Sequence, residues 1–581
     1  MSILTDALAS RFDKAIASAF GQEHAGTAPV LRRSAHADFQ ADVALGLAKK
    51  LGRPPREVAQ QLVAKLDLEG LADKVDIAGP GFVNITLTPS WLSRALEETT
   101  ADARLGVAAQ KPETVVIDYS SPNVAKEMHV GHIRSTLIGD SLARVLEALG
   151  HRVIRQNHLG DWGTPFGMLI EHVLDTTDGN AEKLSIRDLD TFYREARAKF
   201  DSDPTFAERS RRRVVLLQGG DEKTLELWGL LVDLSTSYFG KIYEQLGVKL
   251  RNEDVCGESF YNPMLPKVVD ALRTKGLLEE SEGAECAFPP GFTSKEGKPL
   301  PLIVRKNDGG YGYAATDLAA IQHRTGNLGA TRVLYVVGAP QQQHLAMVFA
   351  VAEKAGWLTP PARATHVAFG SILGPDKKMF KTREGGTVKL ADLLDEAVSR
   401  AHAIIVEKNP ETLDDEARKD VAKKVGIGAL KYVDLSSDRV KDYVFDWKRM
   451  LAFDGNTAPY LQFAHARTRS ILRKAEGTRA GEATEASSKI VVGTPEERAL
   501  ALALLELGDT VASVADTLQP HRLCTYLFDL ATVTTSFLER CPVLKADDPA
   551  TRASRLALCE LSSKVLAKGL DLLGIEAPEV M

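Results

Sequence analysis

Two histidines three residues apart stand where a strongly periodic helical segment begins. His129 and His132 flank Gly131 in the string EMHVGHIRSTLIGDSLARVLEALG, which follows the apolar run TVVIDYS. Residues three apart share one face of a helix, and the N–H groups of a first turn carry partial positive charge. Imidazole N–H groups can donate hydrogen bonds to phosphoryl oxygens, and a glycine between them lets a flat base approach the backbone. The spacing therefore predicts a nucleoside triphosphate site at the start of this helix.

Other interpretations of the histidine pair stay open at this point. Two histidines whose hydrogen bonds are satisfied at a helix start would give the same short pattern. A zinc pair is a weaker alternative, because the sequence shows no evident third ligand and lacks the H-E-x-x-H spacing. We therefore expect no structural zinc.

A glycine-flanked basic loop far downstream is the second candidate phosphate-binding element. The string GPDKKMFKTREGGTVKL carries Lys377, Lys378, Lys381 and Arg383. Taken alone, such a loop is more typical of an exposed surface. Together with the two histidines, it indicates a site that neutralises a chain of phosphates.

Length and composition set limits on the class of protein. The chain has 581 residues, which at about 150 residues per domain predicts three or four domains. Its 44% hydrophobic and 26% charged residues are typical of a soluble globular protein, and no apolar run approaches the roughly 18 residues that span a membrane. Because the first segment carries Asp6 and Arg11, it lacks the apolar core of a signal peptide, and we expect a cytoplasmic protein.

Cysteine usage and charge argue against two further classes. The five cysteines are scattered and form no C-x-x-C pair, so we expect neither a disulfide framework nor a cysteine zinc site. The net charge of −6 argues against nonspecific coating of nucleic acid, although local basic patches can still bind RNA. Two patches stand out, one at Arg209 and Arg211–Arg213 and one at Arg467, Arg469 and Arg473. Each alone is more typical of a solvated helix face.

The alternation of patterns predicts the elements that position these residues. Residues 1 to about 100 mix helical periodicity with one strand candidate, GFVNITLTP, and predict a small α+β domain. The strand TVVIDYS, the long helix and the next strand HRVIRQN form a β-α-β unit, the beginning of a parallel sheet. Strands resume at PLIVRK, TRVLYVVGA and THVAFGSIL after a helical insertion at about 175–300, in which SEGAECAFPPGF has the composition of a loop. From about 386 onward the pattern is almost entirely helical.

Longer strings allow a more specific interpretation than the histidine pair does. The chain resembles the arginyl-tRNA synthetase family, a class I aminoacyl-tRNA synthetase family, in the strings SSPNVAKEMHVGHIRST, NHLGDWGTPFGMLI, YGYAATDLAA, YVVGAPQQQHL, FKTREGGTVKLADLLDEA and LQFAHARTRSIL. The resemblance runs from the N-terminal domain to the C-terminus and is densest between 113 and 395. It implies ATP-dependent activation of L-arginine to arginyl-adenylate, followed by transfer to the terminal ribose of arginine tRNA in translation.

The resemblance also implies a multidomain fold with tRNA-binding parts. The expected divisions are an N-terminal α+β domain that contacts tRNA at 1–112, a Rossmann-like α/β catalytic domain with a parallel sheet split by the insertion at 113–385, a helical connection at 386–445, and an all-α helical-bundle domain that binds the anticodon at 446–581. Arg467, Arg469 and Arg473 are the expected tRNA contacts. We expect a monomer, and the family usually needs bound tRNA before it activates arginine.

An arginine pocket is a further implication of the resemblance. A guanidinium offers five donors in a planar fork, which pairs best with carboxylates and stacks on aromatic rings. Tyr313 and Asp317 are four apart in a segment that could begin a helix, which would put ring and carboxylate on one face. Alone, such a pair is more often a surface contact. His344 is a candidate wall residue, and the residues that match the family's substrate site are Asp118, Ser121, Asn123, Glu258, Tyr313, Asp317 and Gln341.

For the chemistry, the resemblance implies positioning and charge neutralisation without a covalent enzyme intermediate. The arginine carboxylate attacks the α-phosphate of ATP, which is bound with Mg²⁺, and pyrophosphate leaves. The catalytic groups implied are His129, His132, Lys126, Lys381 and Arg383. The residues expected to bind ATP are His129, Gly131, His132 and Lys381.

One signature departs from the pattern of class I enzymes. The second signature is ordinarily K-M-S-K, but the string F-K-T-R aligns with it and Met379 stands at the place of the first lysine. We hypothesise that Lys126, just before the histidine pair, supplies the missing positive charge.

Three other functions stay open on the sequence alone. A class I synthetase with another amino acid specificity is the nearest alternative, and Asp317 is the residue that would discriminate it. A noncatalytic tRNA-binding paralogue is opposed by the intact His129, His132 and Tyr313. A nucleotidyltransferase with a smaller substrate would need far fewer residues and no helical RNA-binding tail.

Overall fold

A computed structural model describes residues 3–34, 36–177, 189–380, 388–408, 413–478 and 489–581. The backbone divides into two compact units. The central unit comprises Lys111–Leu451 and Leu573–Ile575, and the terminal unit comprises Met1–Gln110, Ala452–Leu572 and Glu576–Met581. Within the described residues, no helix combines the length and the apolar character that a membrane span requires.

The N-terminal part of the terminal unit is an antiparallel sheet with helices. Its strands are β1 (Leu31–Arg33), β2 (Phe39–Ala41), β3 (Ala72–Ala78) and β4 (Phe82–Leu87), in the sheet order β1-β2-β4-β3. Its helices are α1 (Ile3–Phe20), α2 (Val43–Leu51), α3 (Pro55–Val63) and α4 (Pro89–Ala101). β4 lies inside the sheet because its run FVNITL is rich in apolar and β-branched residues and is mostly buried. The predicted α+β arrangement is confirmed, although the sequence indicated β4 alone among these strands.

The central unit contains a parallel sheet, two smaller sheets and many helices. Its strands are β5 (Thr114–Asp118), β6 (Arg152–Gln156), β7 (Glu279–Ser281), β8 (Ala284–Ala287), β9 (Leu302–Arg305), β10 (Arg332–Tyr335), β11 (Arg363–His366), β12 (Ile372–Leu373) and β13 (Tyr443–Val444). Its helices are α5 (Val130–Ala148), α6 (Thr164–Thr177), α7 (Leu189–Ser202), α8 (Pro204–Gln218), α9 (Glu222–Leu246), α10 (Glu258–Tyr261), α11 (Leu265–Thr274), α12 (Tyr313–Gln322), α13 (Gln342–Lys354), α14 (Leu390–Lys408), α15 (Asp415–Leu435) and α16 (Trp447–Met450).

The parallel sheet determines where a ligand can bind. β5 pairs in parallel with β6 on one side and with β10 on the other, and β10 pairs in parallel with β11. Because the chain moves to opposite sides of β5, a crevice forms at the carboxyl ends of β5 and β10, the place where open parallel sheets bind ligands. Val116 and Val333 of these strands pack with Leu318 and Val348 of the covering helices α12 and α13. The predicted β-α-β beginning of the sheet is confirmed.

The predicted loop SEGAECAFPPGF is wrong, because this segment forms a hairpin. β7 and β8 pair antiparallel, and Glu282 and Gly283 join them as a two-residue turn with φ of 52° and 78°. A two-residue turn with both φ values positive matches the twist of a hairpin. Asparagine or aspartate usually precedes the glycine in such a turn, so the glutamate hid the hairpin in the sequence.

The strand at PLIVRK extends this hairpin, which corrects the predicted return to the parallel sheet at that point. β9 pairs antiparallel with β8. Its burial alternates, since Leu302 and Val304 are buried whereas Ile303 is 46% exposed, as expected of a strand with one face toward water. β10 is instead buried at every residue. THVAFGSIL is also divided, because β11 ends at His366 and β12 pairs with β13.

The C-terminal part of the terminal unit is helical. Its helices are α17 (Ala458–Thr478), α18 (Pro495–Leu505), α19 (Leu507–Thr517), α20 (His521–Arg540) and α21 (Pro549–Leu572). Leu461, Leu500, Leu527 and Leu561 are among the fully buried side chains of this part. The predicted multidomain fold, with an α+β N-terminal part, a parallel-sheet part carrying an insertion and a helical C-terminal part, is confirmed.

Candidate active site

Helix α5 begins with the two histidines near the carboxyl end of β5. His129 is the N-cap of the helix, and His132 is the third residue of its first turn. Nδ1 of His129 accepts the Gly131 N–H at 3.0 Å, and Nδ1 of His132 accepts the His129 N–H at 3.1 Å. The two rings therefore cap the helix reciprocally, with their centroids 4.0 Å apart. Where Nδ1 accepts in this way, a neutral imidazole carries its proton on Nε2.

Burial keeps His132 uncharged at neutral pH. The pKa of His132 is lowered to about 4, first by burial and then by the neighbouring His129 and Lys126. A Cβ at Gly131 would come within 2.8 Å of the His129 ring, so this cap requires a glycine. His132 thus offers a neutral hydrogen-bond donor, beside His129, at the positive end of a helix, a combination that suits phosphate oxygens.

The basic loop that follows β12 is attached to the histidine segment at its downstream end. Residues 388–390 pair with residues 128–130 through two backbone hydrogen bonds of 2.9 Å. Lys389 adds a salt bridge of 2.5 Å to Glu127. The two elements predicted to bind phosphate are therefore neighbours in space, although about 250 residues separate them in the chain.

The cations expected at the phosphates are described only in part. Nζ of Lys126 lies 4.5 Å from the centre of the Tyr193 ring, a cation–π contact with α7. Lys381 and Arg383 lie outside the described residues. Phe380, which precedes them, stacks on Phe445 with ring centroids 4.8 Å apart. Of the three cations in the expected catalytic set, Lys126, Lys381 and Arg383, Lys126 is therefore the one that lies within the described residues.

Helices α12 and α13 carry the predicted arginine-binding side chains. α12 begins at Tyr313, as the sequence predicted, and Tyr313 is 77% exposed. Asp317 Oδ2 lies 2.6 Å from Nε2 of His344 in α13, and this hydrogen bond raises the pKa of His344. Gln341 is exposed and directly precedes α13, one turn before His344. The predicted carboxylate and wall histidine are thus in contact, with the ring and the amide one turn away on their respective helices.

Glu258 belongs to an acidic cluster with Asp317 and Asp161. The pKa of Glu258 is raised to about 7, mainly by burial and also by the negative charges of Asp161 and Asp317. Burial raises the pKa of Asp161 as well. Within the described part of the chain, no cation acts on the Glu258 carboxylate. Because a positive charge would relieve this repulsion, the cluster has the electrostatics of a site for a cationic ligand.

Asp118 at the end of β5 is engaged within the protein. One carboxylate oxygen accepts a hydrogen bond from Nη2 of Arg324 at 2.7 Å, and the other accepts one from the Ser121 hydroxyl at 3.0 Å. Arg324 is fully buried, donates from Nε to Gln156 at 2.6 Å, and lies 4.9 Å from the centre of the Tyr335 ring. Asp118 and Ser121 thus join a buried network at the ends of three strands. By the family resemblance these two residues would face the ammonium and carboxylate ends of arginine, and this assignment stays a prediction.

Asn123 is exposed at the same end of the sheet. Its segment forms an isolated parallel bridge with Gly160, and a Cβ at Gly160 would overlap the Asn123 Oδ1. Gly160 directly precedes Asp161. The chain therefore brings Asn123 to the corner of the crevice where the acidic cluster lies.

Two charged residues of this region were not singled out from the sequence. Asp161 lies in the quoted string NHLGDWGTPFGMLI, but its spacing from Glu258 carries no local signal. Arg324 pairs with Asp118 across a separation of 206 residues. Long-range pairs of this kind depend on the fold, so no periodicity could have revealed them.

Comparisons with known proteins decide the family. The family model for tRNA synthetases class I (R), catalytic domain, matches residues 95–447. Models for the arginyl tRNA synthetase N terminal domain and the DALR anticodon binding domain match residues 6–87 and 461–581. The chain is 55% identical to an arginine–tRNA ligase of Thermobifida fusca over 99% of both chains, and 50% identical to one of Cellvibrio japonicus over 95% of both chains. The chain belongs to the arginyl-tRNA synthetase family.

Solved structures of arginyl-tRNA synthetases have the same fold. The Plasmodium falciparum enzyme matches with a TM-score of 0.85 at 28% identity, and the Thermus thermophilus enzyme matches with a TM-score of 0.82 at 26% identity. Each comparison covers the whole of both chains. The arginyl-tRNA synthetase fold therefore extends over the full length of this family member.

The arginines predicted to bind tRNA lie on two faces of α17 in this arginyl-tRNA synthetase family member. Arg469 donates from Nε to the Glu579 carboxylate at 2.6 Å, and Arg473 donates from Nη1 to the Glu579 carbonyl at 2.9 Å. Arg467 instead faces Glu539 of α20 at 3.7 Å. Arg469 and Arg473 thus share a face, whereas Arg467 lies apart from them. Their contact with tRNA stays a prediction.

The other basic patch, at Arg209 and Arg211–Arg213, lies on α8. Arg209 forms a 2.7 Å salt bridge with Asp175, and Arg213 forms one of 2.8 Å with Glu171. These pairs fix α8 to α6 and leave little uncompensated positive charge. The patch therefore fits the interpretation as an ion-paired helix face.

Proposed function

We propose that this arginyl-tRNA synthetase family member activates L-arginine with ATP and transfers the arginyl group to arginine tRNA. The reaction passes through arginyl-adenylate and releases pyrophosphate, then AMP. We also propose that it acts in the cytoplasm as a monomer, as expected from the sequence.

The acidic cluster of Glu258, Asp161 and Asp317 is the observation that carries the choice of arginine. A guanidinium placed beside Glu258 and Asp317 would offset the burial and the like charges that together raise the pKa of Glu258 to about 7. Its planar fork can donate to two carboxylates at once, while the exposed Tyr313 ring offers a face for stacking. Asn123 and Gln341 complete the proposed substrate site. Asp118 and Ser121 are proposed to face the ammonium and carboxylate ends of arginine.

His129 and His132 are proposed to bind the phosphates of ATP through Nε2–H. A neutral imidazole donates a hydrogen bond without exchanging a proton, which fits the low pKa of His132. Lys126, Lys381 and Arg383 are proposed to neutralise the charge that grows on the phosphates as the arginine carboxylate attacks. Gly131 leaves room for the adenosine beside the helix start.

Mg²⁺ is proposed to arrive on the phosphates of ATP. In the described ranges, no group of three histidine, cysteine, aspartate or glutamate side chains could hold a metal ion. Phosphate oxygens and water are then its main ligands, as is common for Mg²⁺ at nucleotides. When bound, the ion supplies neutralisation of phosphate charge.

Arginine-dependent ATP–pyrophosphate exchange tests the proposed function. It is measured with and without arginine tRNA, and with lysine, glutamine and glutamate in place of arginine. We expect exchange when arginine and tRNA are both present, and none with the other amino acids. Absence of exchange from folded protein under every condition would favour a noncatalytic RNA-binding role. Exchange with another amino acid would show that the enzyme is specific for that amino acid and not for arginine.

Lys126→Ala tests whether this lysine supplies the positive charge that the second signature lacks. We expect the rate of pyrophosphate exchange to fall about 100-fold while the arginine concentration for half-maximal exchange changes little, because the charge acts on phosphates. An unchanged rate would remove Lys126 from the proposed catalytic set. Lys423→Ala on α15 is a matched control, since Lys423 lies outside the crevice elements.

A further inference from the structure

We propose that Asp161 is a positioning residue that fixes Glu258 for the substrate guanidinium and thereby determines the affinity for arginine. The inference rests on the proposed function, because it assumes that Glu258 contacts arginine. Asp161 itself is 3% exposed, and we do not propose that it contacts the substrate directly.

The Asp161 carboxylate binds the turn that presents Glu258. Oδ1 accepts the Ser259 N–H at 2.8 Å, and Oδ2 accepts the Ser259 hydroxyl at 2.6 Å. On the other side of Glu258, a Cβ at Gly257 would overlap the same carboxylate. Both neighbours of Glu258 therefore lie against Asp161, so its carboxylate sets the position of the backbone from which Glu258 extends.

The segment that contains Asp161 also holds Glu258 through the backbone. The Trp162 backbone N–H acts on the Glu258 carboxylate and partly offsets the rise of its pKa. The Glu258 N–H in turn donates to the Leu159 carbonyl at 3.0 Å. One short segment, residues 159–162, thus holds Glu258 by its backbone and by both flanking residues.

Helix α9 fixes that segment from behind. Nε1 of Trp228 donates to the Asp161 carbonyl at 2.7 Å, and the Trp162 and Trp228 rings meet edge to face with centroids 5.7 Å apart. Edge-to-face aromatic pairs favour one relative orientation. Asp161 therefore has a rigid support, which a residue that positions another side chain needs.

Asp161 also acts on Glu258 through its negative charge, which can be tested separately from its hydrogen bonds. The charged and titratable groups that face Glu258 are Asp161 and Asp317, and Asp317 is paired with His344. Removing the charge of Asp161 would lower the pKa of Glu258. Glu258 would then stay ionised, and able to bind a guanidinium, to lower pH.

A double-mutant cycle with Asp161→Asn and Glu258→Gln tests the inference in the full chain. Aminoacylation is measured at pH 8 with saturating tRNA and ATP. We expect Glu258→Gln to raise the KM for arginine about 100-fold and Asp161→Asn to raise it about tenfold. The double variant is expected to match Glu258→Gln, because Asp161 acts through Glu258. The kcat and the KM for ATP of Asp161→Asn are expected to stay within about twofold.

Each outcome separates the inference from the proposed function. An unchanged KM for arginine in Glu258→Gln would contradict the proposed arginine pocket itself. If the KM for arginine rises in Glu258→Gln but not in Asp161→Asn, the inference is overturned and the proposed function stands. The same holds if the KM increases of the two single variants multiply in the double variant, because the two residues would then act independently. A fall of kcat with an equal rise of both KM values would indicate a general structural role and would also overturn it.

The pH profile and a milder variant complete the test. In Asp161→Asn the acidic limb of kcat/KM for arginine is expected to move to lower pH, a shift that a merely structural defect does not produce. Ser259→Ala removes one donor to Asp161 and is expected to raise the KM for arginine about threefold. If Asp161→Asn does not fold, an unchanged KM in folded Ser259→Ala overturns the inference.

Discussion

The acidic cluster around Glu258 and the basic face of α17 were both predicted as binding sites, but their charges are balanced differently. Glu258 is surrounded by the like charges of Asp161 and Asp317. Arg469 and Arg473 instead share the acidic Glu579 within the same unit of the protein. In the acidic cluster Asp317 is hydrogen-bonded to His344, but within the described residues no cation acts on Glu258. The two arginines of α17 already have a countercharge.

This difference separates two uses of charge in one chain. Carboxylates that repel one another cost stability in the free protein, and a cationic ligand relieves that cost when it binds. Charges that are paired internally are already compensated, so a ligand must compete with the internal partner for them. Unbalanced charge is consequently the stronger indication of a ligand site, and of the two sites compared it is found at Glu258.

Asp317→Asn is expected to break the acidic cluster most severely. Loss of one partner of a desolvated charge pair costs about 3–5 kcal/mol, so kcat/KM for arginine should fall roughly 1000-fold. The KM for ATP should change little, because the carboxylate belongs to the amino acid side of the site. Arginine-dependent pyrophosphate exchange in the presence of tRNA measures both.

Asp233→Asn on the exposed side of α9 is the matched control for Asp317→Asn. It removes the same charge without touching the crevice and should leave exchange unchanged. Retained use of arginine by Asp317→Asn would mean that the cluster is not the guanidinium site, and the comparison with α17 would lose its basis.

Arg324→Met tests the opposite case, a carboxylate that is fully paired inside the protein. Asp118 would be left buried with no charge opposite it, so the free energy of unfolding should fall by about 3 kcal/mol. Urea denaturation of the full chain measures the effect as a lower midpoint. Arg324→Lys keeps the charge and should lose less, and equal midpoints for Arg324→Met and the parent would show that Asp118 does not depend on this pair.

Local spacing explains which parts of this picture the sequence could predict. The strand of β5, the helix start at His129 and the start of α12 at Tyr313 follow from periodicity and from neighbouring residue types. The hairpin at Glu282 and Gly283 was missed because its turn lacks the usual residue before glycine. The balance of charge could not be predicted at all, because the partners of Asp118 and Glu258 come from distant parts of the chain.

Glu258→Gln tests whether the Glu258 charge is uncompensated, through its effect on the free energy of unfolding. The pKa of Glu258 is raised from an ordinary value near 4.5 to about 7, so the folded protein holds a proton that the unfolded chain has lost between these values. Stability therefore falls as pH rises from about 4.5 to 7 and stays reduced above that window. The variant should be more stable than the parent by about 1–2 kcal/mol at pH 8, while it loses activity.

Urea midpoints at pH 5 and pH 8 distinguish this effect from a general one. The gain in Glu258→Gln should be present at pH 8 and small at pH 5, where Glu258 is already protonated in the folded state. Glu407→Gln, on the exposed end of α14, is the control and should show no gain at either pH. A variant less stable than the parent at pH 8 would show that Glu258 is compensated in the free protein.

Arg469→Ala carries the smallest expected effect and tests the paired side of the comparison. A phosphate contact made by Arg469 would be shared with Glu579, so the Kd for arginine tRNA should rise only about threefold, and the slope of log Kd against log salt should fall by about one. Glu579→Gln should tighten binding about twofold, because it removes the negative charge that pairs with Arg469, while the bond from Arg473 to the Glu579 carbonyl stays. Arg540→Ala, on the exposed end of α20, is the control. If Arg469→Ala and Glu579→Gln both leave tRNA binding unchanged, this face of α17 stabilises the helical domain and the RNA lies elsewhere.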